Sequence, residues 1–190
     1  MTQIMGRSVL KPPQMAGFLV IRNPAPALMP GCTAIQLAEH YISEGEIEGV
    51  RGDIAFCQSI QETGWFRFGG DVLPEQNNYC GYAATNTTPK GKGAWFETPQ
   101  LGVRCQIQHL KAYGSTEPLK QALVQPSNGV PNRFGYITHT KKPRWQKPAG
   151  FFRHLYITIP NRPSTKMKRG GFGFDIFWHA RRDSNPRPTA

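Results

Sequence analysis

Apolar side chains recur every three or four residues in four stretches of this 190-residue chain. That period predicts helices over residues 12–21, 33–49, 51–63 and 98–114. Thr33 and Thr98 stand where hydroxyl groups cap helix N-termini, while Gly49 and Gly64 stand where glycine ends a helix. The pattern therefore predicts a mostly helical core within the first 114 residues.

The stretch between the third and fourth predicted helices lacks this period. From Phe66 to Phe96 the chain is punctuated by Gly-Gly, Asn-Asn and Gly-Lys-Gly sequences, which favour loops and a small β-hairpin. Helices on both sides of a small irregular lobe predict an α+β fold.

Glu62 falls in the last turn of the third predicted helix, close to Trp65, Phe66 and Phe68. A carboxylate there opposes the helix dipole, and apolar rings reduce its hydration. Both effects favour the protonated form, which a general acid needs near neutral pH. The alternative interpretation is a solvated glutamate at a helix end.

The other acidic residues of the helical region have a structural interpretation. Glu39, Glu44, Glu46 and Glu48 are expected to form the solvated face of the second helix. Asp53 is well placed to stabilise the N-terminal end of the third helix.

The basic character of the chain comes from its C-terminal part. The net charge is +11, yet residues 1–117 carry 10 acidic and 9 basic residues, whereas residues 118–190 carry 2 acidic and 14 basic residues. That second part also holds nine prolines and no sustained helical period, a composition that resists core formation. We expect a folded domain over residues 4–125 and a disordered, basic tail over residues 126–190. The less favoured interpretation of the tail is an arm that binds nucleic acid or anionic wall polymers.

Metal, membrane and export signals are weak. The four cysteines, Cys32, Cys57, Cys80 and Cys105, form no metal-ligand spacing and establish no disulfide framework. Cys57 and Cys105 fall within helical patterns and are interpreted as buried free thiols. We therefore expect no metal and no cofactor. No apolar run is long enough for a membrane span. Residues 7–27 resemble a signal peptide only loosely, because two prolines interrupt a short apolar run.

Three long stretches resemble a known family: EGVRGDIAFCQSIQETGWFRFGGD, PEQNNYCG and TPQLGVRCQIQHLKAY. Over about residues 4–116 the chain is similar to the bacterial glucosaminidases that hydrolyse peptidoglycan, glycoside hydrolase family seventy-three. The resemblance implies a lysozyme-like fold, Glu62 as catalytic acid, and a cleft lined by residues 77–81. It also implies hydrolysis of the β-1,4 bond between N-acetylglucosamine and N-acetylmuramic acid, with glycan strands as partner and an extracellular or cell-wall location.

The second catalytic group stays open. Many family members carry an acidic residue on the hairpin, but residues 81–96 contain none here. Asp71 and Glu75 are the leading candidates, with Glu97 a further choice, and assistance by the 2-acetamido group of the sugar is the third possibility. For Asp71, a role in holding the Gly-Gly turn is an equal alternative.

Five side chains are candidates for sugar binding. Aromatic rings stack on the C–H faces of sugars, and amide side chains pair with N-acetyl and hydroxyl groups. These candidates are Trp65, Asn77, Asn78, Tyr79 and Trp95.

Two other functions are compatible with the sequence. After Leu119 the likeness to the family weakens, so a weakly active or inactive fragment that binds wall glycan is one alternative. Nucleic-acid binding through the basic tail is another, although the near-neutral first 117 residues lack the basic track that phosphates require.

Overall fold

A computed structural model describes residues 3–84 and 91–132, which lie within one compact unit, Gln3–Arg144. The helices are α1 (Pro12–Arg22), α2 (Ala34–Glu48), α3 (Gly52–Glu62) and α4 (Pro99–Gly114). A single turn of 3-10 helix, Pro74–Gln76, lies between α3 and α4. The four helices predicted from the hydrophobic period are confirmed.

The helix ends use the residues that the sequence indicated. The Thr33 hydroxyl accepts a hydrogen bond from the backbone N–H of Gln36 at 3.2 Å, and the Thr98 hydroxyl accepts one from Leu101 at 3.2 Å. Gly49 ends α2 in the left-handed conformation, with φ of 75°. These caps satisfy backbone groups that a helix end leaves without intrahelical partners.

The α+β class is not confirmed, because the described residues contain no strand. Their one β-feature is an isolated antiparallel bridge between Met5 and Val50. Residues 66–84 and 91–98 form turns, bends and the 3-10 helix instead. Side-chain amides hold this lobe where strand pairing was expected, for example Gln76, whose Nε2 donates to the carbonyl of Ala94 at 3.2 Å. Residues 85–90, within the predicted hairpin, lie outside the described residues.

Helix α2 is central and packs against α1, α3 and α4. The core around it contains an aromatic cluster in which Tyr41 lies 5.5 Å from Phe56 and 6.5 Å from Tyr79 between ring centroids. Phe66 closes the cluster at 5.7 Å from Tyr79. These rings are at most 1% exposed. The cluster joins α2 and α3 to the loops that follow Glu62 and precede α4.

The interpretation of Glu44 as solvated is wrong. Its side chain is fully buried and accepts hydrogen bonds from Arg104 (2.9 Å), Gln100 (2.7 Å) and Gln121 (2.7 Å). Burial opposes ionisation, but these donors outweigh it, so the pKa of Glu44 lies below its ordinary value.

Glu48 is the second correction on the same helix face. Its carboxylate pairs with the Lys111 ammonium at 2.8 Å, and both side chains are 0% exposed. It also accepts the backbone N–H groups of Lys120 and Gln121, each at 3.0 Å. The partners of both glutamates come from more than fifty residues further along the chain, so a local charge pattern could not distinguish them from solvated carboxylates.

Asp53 stabilises the entry to α3, as its position indicated. Its carboxylate accepts the backbone N–H of Val9 at 2.9 Å and of Leu10 at 3.3 Å, and it pairs with Arg51 at 2.7 Å. Burial raises the pKa of Asp53, but the Arg51 guanidinium and the two backbone donors lower it more. The N-terminal segment is thereby fixed to α3.

The chain beyond α4 continues to pack on the domain as far as residue 132. Gln108 holds the segment by accepting the N–H of Val124 at 3.0 Å and donating to the carbonyl of Ala122 at 2.9 Å. Asn132 is 4% exposed and donates to the carbonyl of Val124 at 2.7 Å. Residues 126–132, the first part of the predicted tail, therefore lie against the domain. The remainder of that tail lies outside the described residues.

The described residues include no helix long and apolar enough to cross a membrane. Within residues 3–84 and 91–132, no group of three potential metal ligands converges. The four cysteines are free thiols.

Candidate active site

Helix α3 ends in a Schellman motif directly after Glu62. The N–H of Trp65 bonds to the carbonyl of Ile60 at 2.6 Å, and the N–H of Gly64 bonds to the carbonyl of Gln61 at 3.1 Å. Gly64 has φ of 57°, the left-handed conformation that this motif requires. Glu62 is therefore the last residue of a helix that ends sharply, as the sequence predicted.

The turn after Glu62 stays in the left-handed region for longer than a helix end needs. Trp65, Phe66 and Phe68 have φ of 64°, 55° and 52°. Each such non-glycine residue costs about 1–3 kcal/mol, so the surrounding structure must hold the turn. Thr63 is part of that support, because its hydroxyl donates to the carbonyl of Ser59 at 2.7 Å and accepts the N–H of Phe66 at 2.9 Å.

The Glu62 side chain is exposed on one side and reaches no hydrogen-bond or ion-pair partner among the described residues. Partial burial against the protein raises its pKa, the direction that the sequence predicted. Its charge contributes to raising the pKa of the buried Cys80 thiol, although burial is the main cause of that shift. Glu62 therefore lies near the segment that carries Asn77, Asn78 and Tyr79.

Those three side chains are turned into the protein rather than toward a ligand. Asn77, Asn78 and Tyr79 are each 1% exposed. The amide of Asn77 donates to the carbonyl of Phe96 at 2.9 Å and accepts the Tyr79 hydroxyl at 3.1 Å. Asn78 donates to the carbonyl of Tyr82 and accepts its N–H, both at 2.8 Å. These contacts hold the loop, as the sequence indicated for one of the two asparagines, and sugar binding by the three side chains stays a prediction.

Trp65 and Trp95 remain available as sugar-stacking surfaces, because both are half-buried. Trp65 packs beside Phe18 at 5.3 Å between ring centroids, with the Arg22 guanidinium 5.9 Å from its ring. The indole N–H of Trp95 donates to the carbonyl of Gly91 at 2.7 Å, which fixes the ring.

The other carboxyl candidates stand on the lobe that follows. Asp71 is half-buried, and its backbone carbonyl accepts the N–H of Gly91 at 2.8 Å. Glu75 is exposed on the 3-10 helix, and Glu97 is exposed just before α4. No hydrogen bond joins any of these three to Glu62 in the described part of the chain. The structure therefore places Glu62 within electrostatic range of Cys80, in the Asn77–Gly81 segment, without selecting a second carboxylate.

Comparison with known proteins addresses the identity of the domain. The family model named glucosaminidase, described as mannosyl-glycoprotein endo-beta-N-acetylglucosaminidase, matches residues 38–156, more than half of the chain. The chain belongs to the glucosaminidase family. The predicted resemblance is confirmed. The family match extends to residue 156, whereas the resemblance was expected to end near residue 116.

A relative of this family member is an uncharacterised protein of Borreliella burgdorferi, 43% identical over 90 residues. The match covers 47% of this chain and 43% of the relative, so the chain spans less than half of that protein's length. No solved structure matches this chain. The comparisons therefore establish a glycoside hydrolase family domain and leave the reaction to be proposed.

A cluster of three ring-bearing residues was not singled out by the sequence. In this glucosaminidase domain the His109 ring stacks on Tyr113 at 5.0 Å and meets the edge of Tyr82 at 5.8 Å. Burial lowers the pKa of His109 to about 4, so the ring is neutral at physiological pH. Cys80 interacts electrostatically with both Glu62 and Tyr113. The sequence could have indicated the stacked pair, because His109 and Tyr113 are four residues apart and so lie on the same face of α4.

A separate cavity of about 480 Å³ lies beside α2. Cys32, His40 and Pro99 are among its lining residues, but Glu62 is not. The cavity is therefore distinct from the surface that presents the candidate acid.

Proposed function

We propose that this protein is a peptidoglycan hydrolase, an endo-β-N-acetylglucosaminidase that uses Glu62 as general acid. It cleaves the β-1,4 bond between N-acetylglucosamine and N-acetylmuramic acid. The observation that carries the proposal is Glu62 itself, a carboxyl group of raised pKa at the end of α3 in a glucosaminidase family domain, with no hydrogen-bond or ion-pair partner in the part of the chain that the structure describes. A wall substrate implies an extracellular or cell-wall location.

The contrast with the buried carboxyl groups supports this role. Glu44 and Asp53 are committed to hydrogen-bonded pairs that lower their pKa values and keep them ionised. Burial raises the pKa of Glu62, which favours its protonated form, and the side chain keeps solvent access to a ligand.

In the proposed reaction the Glu62 carboxyl group protonates the glycosidic oxygen as the bond to the anomeric carbon breaks. Water then adds its hydroxide to that carbon, and its remaining proton returns to the carboxylate. The group that assists at the anomeric carbon is Asp71, Glu75 or the 2-acetamido oxygen of the substrate. Trp65 and Trp95 supply stacking surfaces, and Asn77, Asn78 and Tyr79 shape the loop beside the acid.

Analysis of the digestion products tests the bond that is cleaved. Purified peptidoglycan is digested with the full chain, the fragments are reduced with borohydride, and their ends are identified by mass spectrometry. We expect reduced N-acetylglucosamine ends. Anhydromuramic acid ends would instead identify a lytic transglycosylase and contradict the proposal.

A glycan-binding fragment without useful activity is the second candidate, because the matched region covers only 43% of the Borreliella burgdorferi relative. Sedimentation with insoluble peptidoglycan distinguishes this function from hydrolysis, since a binder would pellet with the wall and release no soluble fragments. Nucleic-acid binding was the less favoured alternative for a tail that lies mostly outside the described residues, and no described contact favours it.

A further inference from the structure

The left-handed turn after Glu62 is held from outside α3 by the end of α1. Asn23, the C-terminal cap of α1, is 7% exposed, and its side-chain amide donates to the carbonyl of Trp65 at 2.7 Å. The N–H of Ala27 donates to the carbonyl of Phe66 at 2.8 Å. Arg67 extends from the turn and donates to the carbonyl of Arg22 at 2.8 Å. Three consecutive residues of the turn are therefore tied to the chain around the end of α1.

Of these three bonds, the one from Asn23 is made by a buried side chain to the residue that completes the Schellman motif. Trp65 donates its N–H to Ile60 in α3 and accepts the Asn23 amide on its carbonyl. The peptide groups on the two sides of Trp65 are thus fixed by different helices. A residue with φ of 64° and a large side chain adopts that conformation only where neighbours impose it.

We propose that Asn23 is a positioning residue for Glu62: its amide fixes the left-handed turn that ends α3 and so sets the direction of the Glu62 side chain. Only the expected change in kcat rests on the proposed hydrolase function; the structural role of Asn23 does not depend on it. Asn23, at the C-terminal cap of α1, would then help to determine the geometry of the site, although it precedes the family match at residues 38–156.

The surroundings of Glu62 suggest what loss of this contact would do. Burial, rather than a nearby charge, raises the pKa of Glu62. The charged groups at the turn are Arg22, beside the Trp65 ring, and Arg67; Glu62 also interacts electrostatically with the Cys80 thiol. If the turn relaxes, Glu62 gains hydration and its pKa falls toward the ordinary value of 4.5.

The test compares Asn23→Ala and Asn23→Leu with Gln100→Ala in the full-length protein. Leucine keeps the branched shape of asparagine and adds no charge, but it cannot donate to the Trp65 carbonyl. Gln100→Ala is the matched control, because it also removes a side-chain amide donor, here to Glu44, away from the turn. Two readouts are used: the pKa of Glu62 from carbon-13 NMR, assigned with Glu62→Gln, and the pH dependence of kcat on peptidoglycan.

Both Asn23 variants are expected to lower kcat about ten- to a hundredfold with KM nearly unchanged, the result of a misdirected acid. The Glu62 pKa and the alkaline limb of the kcat profile should move to lower pH, whereas Gln100→Ala moves neither. Variants that lose stability but keep the Glu62 pKa would overturn the proposal, because Asn23 would then be purely structural. If the wild-type protein does not hydrolyse peptidoglycan, the proposed function fails, and the NMR titration still decides the role of Asn23. If Asn23→Ala does not fold, Asn23→Leu gives the same decision.

Discussion

The buried pair between Glu48 and Lys111 provides the sharpest stability prediction. Both side chains are 0% exposed, and their closest N–O distance is 2.8 Å. Removing one partner of such a pair leaves a buried charge without compensation and costs about 3–5 kcal/mol. A solvent-exposed pair would cost at most about 1 kcal/mol, so the two cases are separable by measurement.

The loss of free energy of unfolding should depend on which partner of the pair is replaced. Glu48 keeps two backbone donors, from Lys120 and Gln121, when Lys111 is replaced by methionine. Glu48→Gln instead leaves the Lys111 ammonium without its carboxylate, the one side chain to which it is bonded within the described residues. We therefore expect Lys111→Met to cost about 3 kcal/mol and Glu48→Gln about 4–5 kcal/mol. The double variant should cost less than the sum of the two, because the residues interact directly.

Urea unfolding of the full chain, followed by far-ultraviolet circular dichroism, measures these differences. Arg104→Met is the matched control, since Arg104 is 25% exposed and its partner Glu44 keeps the amides of Gln100 and Gln121. That variant should lose only about 1–2 kcal/mol. A loss below about 1 kcal/mol for Lys111→Met would refute the reasoning, because it would mean that the pair is solvated.

The remaining predictions concern the stability of the fold at acid pH and the effect of replacing two glycines by alanine. Folding lowers the pKa values of Asp53 and Glu44, so the unfolded chain binds more protons at acid pH. The urea midpoint should therefore fall as pH decreases below about 4. Asp53→Asn should reduce the slope of the urea midpoint against pH, and an unchanged slope would count against the role assigned to Asp53. Gly102→Ala should destabilise strongly, because its Cβ would overlap the carbonyl oxygen of Asn77, whereas Gly17→Ala, in open space on α1, should stabilise by about 0.5–1 kcal/mol. Thermal unfolding monitors both variants, and equal effects would contradict the packing described.

The helices could be predicted because the residues that specify a helix lie within it or at its ends. Apolar spacing and the caps at Thr33 and Thr98 lie within the segments that they define, and the glycines that follow α2 and α3 adopt the expected conformation. The position of Glu62 at the end of α3 follows from the same local signals. Those parts could be predicted without any knowledge of tertiary structure.

The errors arose where long-range contacts determine the environment. Glu44 and Glu48 are buried because Arg104 and Lys111 on α4 meet them, and no pattern within α2 reports those partners. The outcome for Asn77 and Asn78 differs: their amides satisfy backbone groups of Phe96 and Tyr82, and sugar binding by these side chains stays a prediction. The role proposed for Asn23 was likewise invisible, since the turn that it contacts lies 42 residues further along the chain.

The catalytic role of Glu62 is tested most directly by the rate of peptidoglycan hydrolysis by Glu62→Gln. Glu46→Gln is the matched control, because Glu46 is an exposed glutamate on α2 away from the proposed site. Reducing ends released per unit time are compared at equal concentrations of folded protein. A general acid contributes about a hundred- to ten-thousandfold, so Glu62→Gln should lose that much activity while Glu46→Gln retains the wild-type rate. Near wild-type hydrolysis by Glu62→Gln would contradict the assignment.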